Sequence, residues 1–118
     1  MSIDTDRTAV ELSIKNARKT LDQAKSLERL RSNRDFKALI LDGYFREEAI
    51  RLVHLRSDPA YQSPTAQALI LLDIDAVANL VSYFRTVEAL GETARKALID
   101  GEETLEALSQ DEQDEVTQ

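Results

Sequence analysis

The sequence predicts an all-α single domain, a three- to four-helix antiparallel bundle with long helices and a disordered acidic C-terminal tail. Three observations lead there. Only three glycines and two prolines interrupt 118 residues, so the chain has few places to turn sharply. Apolar residues recur at helical spacing over most of the length. An apolar share of 42% with 31% charged residues fits a folded helical protein better than a disordered one. The spacing assigns residues 1–109 to the helical domain and 110–118 to the tail.

The first helix is expected to start near Thr5 or Asp6, either of which can cap it, and to run to about Arg31. Val10, Ile14, Ala17, Leu21 and Ala24 recur at four, three, four and three residues, the rhythm of a narrow coiled-coil seam. Leu27 and Leu30 continue it with a phase shift. A seam this thin, and partly alanine, does not stabilise a lone helix, so it reads as a hairpin arm or an oligomer contact. Ser32-Asn33 supplies the next cap. Gly43 either ends one helix and starts another or is crossed for a close helix contact at a cost of about 1 kcal/mol relative to alanine, and one helix over Arg34 to Arg56 is the expectation. Its apolar residues, from Phe36 and Leu39 to Val53 and Leu55, cover more than one face and predict the most buried helix. Asp58-Pro59 ends it.

Ser63-Pro64 opens the third helix, with serine as cap and proline in the first turn. Leu69, Ile70, Asp73, Val77, Leu80, Val81, Phe84 and Val87 keep a helical period, carrying it at least to Leu90. Gly91 is either a stop or a point the helix runs through, because Ala94, Leu98, Gly101, Leu105 and Leu108 resume the four-three rhythm. Beyond Ser109 the apolar signal ends.

Charge is distributed unevenly. The last 22 residues hold eight carboxylates (Asp100, Glu102, Glu103, Glu106, Asp111, Glu112, Asp114 and Glu115) and no lysine or arginine. Between Arg7 and Arg56, twelve basic residues face seven acidic ones, a net +5. Such asymmetry serves solubility, steering or association rather than fold. The acidic end reads as a solubilising tail, as an electrostatic contact for the basic first helix of a neighbouring copy, or as a nucleic-acid mimic, in that order.

Chemistry is sparse. Without cysteine there are no disulfides, zinc-thiolate sites or thiol nucleophiles. His54 has Glu47 two turns before it, but one histidine and one carboxylate do not make a metal site. Asp73 lies near the apolar stripe, where an ion pair with Arg46 or Arg51 is the simpler expectation than acid catalysis. Lys15, Arg18, Lys19, Lys25, Arg29, Arg31, Arg34 and Lys37 are interrupted by Asp22, Glu28 and Asp35, lack interleaved aromatics, and belong to a chain of pI about 4.7, which argues against nucleic acid as a partner. The N-terminus is acidic, and the longest apolar run, Ala68 to Leu72, falls far short of the roughly 20 residues that span a bilayer. The expectation is therefore no enzyme, no cofactor, no metal and no membrane.

The stretch from Asp35 to Leu52, DFKALILDGYFREEAIRL, together with Leu80 to Val87, LVSYFRTV, resembles small helical proteins encoded among the structural genes of short-tailed double-stranded DNA bacteriophages. The resemblance covers about Leu30 to Leu105 and rests on helix-core patterns. It implies a virion component or assembly factor, made in the host cytoplasm, that associates with itself or docks on a larger virion protein. It transfers no functional residues. Ile14, Leu21, Leu98, Leu105 and Leu108 are the candidate interface from the spacing alone. The alternative is a small acidic phage regulator or inhibitor that binds a host protein, and a nucleic-acid-binding assembly protein is a third class.

Overall fold

The computed structural model describes residues 2–117, and all of its regular structure is helical. α1 spans Ile3–Arg31, and α2 spans Arg34–Phe36. A π-helical stretch over Lys37–Glu48 leads without a break into α3, Ala49–Ser57. A 3₁₀ turn at Pro59–Tyr61 precedes α4, Pro64–Thr117, a single helix of 54 residues. Two compact units make up the chain: residues to Lys25 with Val87 onward, and Ser26–Thr86.

The local signals explain most boundaries. α1 begins two to three residues earlier than Thr5 or Asp6, because Ser2 does the capping: its Oγ accepts from the Thr5 N–H at 3.2 Å. Asn33 Oδ1 accepts from the Phe36 N–H at 2.9 Å, Asp58 Oδ1 from Ala60 N–H at 2.9 Å, and Ser63 Oγ from Ala66 N–H at 3.1 Å. The turn before α4 is also stitched by Gln67, whose amide donates to the carbonyls of Tyr61 at 2.7 Å and Arg56 at 3.2 Å. Both glycines left open by the sequence, Gly43 and Gly91, are crossed by continuous helix, and no glycine has positive φ.

The first unit is an antiparallel helix pair. The four-three seam of α1 meets the same rhythm in the C-terminal part of α4, with Ala17, Leu21 and Ala94 buried together and Ala97 and Leu98 packed on them. Small residues let the two helices approach closely. A Cβ added at Gly91 would sit 2.3 Å from Ala24 Cβ, and one at Gly101 would sit 2.7 Å from Ile14 Cγ1. The seam ends in charge: Arg7 Nη2 lies 2.6 Å from Glu112 Oε2. Glu112 continues the spacing of Leu105 and Leu108, so the helix has a partner beyond its last apolar residue. Residues 110–117 are accordingly helical, which corrects the expected disordered tail over the described part of 110–118; Gln118 lies outside the described residues.

The second unit contains the end of α1, the helical run over 34–57 and the start of α4. Leu27, Leu52, Ile70 and Val77 are its buried side chains. Its aromatic centre is Phe84, whose ring centroid lies 6.0 Å from Phe36 and 5.5 Å from Phe45, the latter edge-on. The π winding explains how both reach it. Residues nine apart fall on opposite sides of a helix with about 3.6 residues per turn, but almost on one line at about 4.4 residues per turn, the winding of i→i+5 bonding. The run over 34–57 is not the most buried helix. Only Leu52 is fully buried there, because a rod with neighbours on one side can hide one face.

Close approach at Gly91 gives a test of sign. In an exposed helix, Gly→Ala gains about 1 kcal/mol. Here Gly91→Ala is expected to destabilise by about 1–3 kcal/mol through overpacking, and Ala24→Gly in the same chain is expected to recover most of the loss. Urea unfolding followed by circular dichroism reads both, and a stabilised Gly91→Ala variant would contradict the seam.

Candidate association surface

α4 is rotated in the second unit by what it buries. Ile70, Val77 and Phe84 recur every seven residues and face inward, Ile70 and Val77 buried and Phe84 held by Phe36 and Phe45. That fixes the opposite side. Leu69, Leu72 and Tyr83 stand outward at 58%, 63% and 61% exposure, joined by Leu71, Ala76 and Ala78. A helix face that is exposed and yet apolar, with Asp73, Asp75 and Arg85 its charges between Leu69 and Arg85, is unusual for a water-facing surface. Leu39, Ile50 and Val53 add exposed apolar area on the π stretch and α3.

Charge divides along the same line. The first unit holds seven basic and fourteen acidic residues and so carries the whole net charge of −7; the second holds eight of each and is neutral. Of thirteen exposed large apolar residues, nine belong to the neutral unit: Leu30, Leu39, Ile50, Val53, Tyr61, Leu69, Leu71, Leu72 and Tyr83.

The five residues that spacing nominated as an interface all lie in the charged unit. Ile14 and Leu21 are buried within this chain, and Leu98, Leu105 and Leu108 are half-buried. Leu21 and Leu98 share the core of the helix pair, while Ile14 and Leu105 line an open hollow of about 310 Å³ with Glu11, Lys15, Arg18 and Glu102. The basic first helix meets acidic α4 in the same chain, at Arg7–Glu112 and, at 3.7 Å and well exposed, Arg18–Glu102.

The polar candidates sit apart from one another. His54 and Glu47 are both exposed, and among the described residues no group of three or more histidine or acidic side chains is arranged to hold a metal ion. Asp73 is exposed rather than buried, so it does not require the partner the sequence suggested. Arg51 instead donates to Glu48, with Nε at 2.9 Å from Oε2, and feels Asp73 only as a weaker, longer-range charge.

Sequence reasoning placed Leu69 in the inward stripe and passed over Leu71, Leu72 and Tyr83. The signal was there: five consecutive apolar residues over Ala68–Leu72 cannot all face one side of a helix. α4 also contains an 18-residue window of mean hydropathy 1.4, sufficient by length and composition to cross a bilayer. Any such window includes Asp73 and Asp75, each costing about 2.5–3.5 kcal/mol at a membrane centre. No protein family, curated protein or solved structure matches the chain.

The Glu48–Arg51 contact has a pH signature. The Arg51 hydrogen bond holds the Glu48 carboxylate below its ordinary pKa, outweighing the opposing effect of desolvation. A depressed folded pKa contributes stability above the unfolded pKa and loses it as pH falls through the folded one. Carbon-detected NMR titration is expected to show Glu48 titrating at lower pH than in the Arg51→Gln variant. Coincident titrations would show that the pair does not persist in solution.

Proposed function

We propose that this chain is a non-enzymatic assembly protein that works by contact with other proteins, its own copies first. The observation that carries this reading is the concentration of exposed apolar side chains in the neutral unit, against a unit with all of the net charge and a seam closed within the chain. An apolar, uncharged surface favours contact, and a like-charged one keeps copies soluble and limits how they meet. The resemblance of residues 35–52 and 80–87 to helical proteins of short-tailed phages supports a place in virion assembly, with a larger virion protein as second partner and the host cytoplasm as the compartment. Neither nucleic acid nor a membrane is needed for it, and no cofactor is invoked.

One observation favours the alternative of an acidic regulator that binds a host protein. Asp100 to Glu115 are held on a helix rather than on a loose tail, which is what imitation of a nucleic acid requires. Residence in purified particles favours assembly; a stable soluble complex with a nucleic-acid-binding host protein favours the regulator.

Multi-angle light scattering across a concentration series tests the proposal. Mass is expected to rise above 13.3 kDa with concentration and to remain elevated between about 0.05 and about 0.5 M salt, because screening acts on charge and not on apolar contact. A monomer at high concentration throughout that range would contradict self-association.

A further inference from the structure

This inference rests on the self-association proposed above and names its surface. We propose that the outward face of α4 in the second unit is occupied by the same face of a second copy, the two helices running antiparallel about a two-fold axis near Asn79 and Leu80. The pattern of charge selects this arrangement. Asp75 and Arg85 are exposed and stand five residues to either side of Leu80. Antiparallel pairing about that midpoint brings each Asp75 level with the partner's Arg85, giving two symmetry-related opposite-charge contacts that flank the small and aromatic residues from Ala76 to Tyr83. Parallel pairing would set Asp75 beside Asp75 and Arg85 beside Arg85, which is repulsive at both ends.

Size agrees with charge. Tyr83 comes level with the small-residue side of the partner near Ala76, large against small, and Ala76, Ala78 and Ser82 leave room for the backbones to approach. Over residues 74–86, which face one another in this pairing, Asp75 and Arg85 are the only charges, so the paired stretch is neutral and free of the net repulsion that the first unit carries. A lipid bilayer is the competing occupant, and the same two aspartates, Asp73 and Asp75, within the apolar stretch disfavour it.

The test is sedimentation velocity on the full chain and on Asp75→Arg, Arg85→Asp and the double variant. All three changes are at exposed positions, and circular dichroism checks that the fold is kept. Each single variant is expected to weaken association by roughly ten-fold or more, and the double variant to return to within about three-fold of the parent. Because the chain has no cysteine, single cysteines report the direction. A short bis-maleimide is expected to join copies of Asn79→Cys and not of Leu69→Cys, whose positions would lie about 33 Å apart at 1.5 Å per residue. Equal cross-linking at both positions, or a double variant no better than the singles, overturns the antiparallel pairing. Association untouched by either single variant also overturns it while leaving self-association standing on another surface. A monomer that floats with phosphatidylcholine vesicles overturns both and assigns the face to lipid.

Discussion

The close approach of two helices at Gly91 and Ala24 is the constraint from which the rest of the molecule follows. With no side chain at Gly91 and a single methyl at Ala24, α1 and the C-terminal part of α4 come near enough for Ala17, Leu21 and Ala94 to bury one another. A seam of so many small residues gains little from hydrophobic area and relies on dispersion between closely fitted surfaces. Closure also decides what stays exposed. Once Ile14 and Leu21 are buried against α4 of the same chain, the apolar area left for a partner must come from elsewhere.

It comes from the rotation of α4 in the second unit. Phe84, gripped by Phe36 and Phe45, and the buried Ile70 and Val77 hold one face inward, which turns Leu69, Leu72 and Tyr83 to the outside. The π winding over Lys37–Glu48 is part of this, since it brings Phe36 and Phe45 to the same side. Stretches of π-helix are uncommon and often mark functional segments. Here the winding acts through packing, holding Phe36 and Phe45 on the side that Phe84 meets.

Much of this was legible in the sequence. The helical class, the caps at Asn33 and Ser63, the stop at Asp58-Pro59, and the matching four-three seams through Ile14–Leu21 and Leu98–Leu108 follow from residue type and spacing. Spacing shows that two seams exist, but it does not show that they close on each other; only the pairing of Ile14 with Gly101 and of Ala24 with Gly91 does so. The acidic end was misread because its support is an ion pair, Arg7–Glu112, formed with a residue more than a hundred positions away. Leu69 and Leu72 were hidden inside an apolar run that periodicity assigns equally well to either face. The π winding leaves no signature that a 3.6-residue period detects.

Hydrogen exchange read by mass spectrometry at low and high protein concentration tests the central claim most directly, because it asks which unit meets a partner. Added protection at high concentration is expected within the second unit, centred on residues 74–86 of α4, with residues 3–25 and 92–112 unchanged. Protection gained instead along α1 and the stretch from Leu98 to Leu108 would show that the seam opens to partners, and would contradict it.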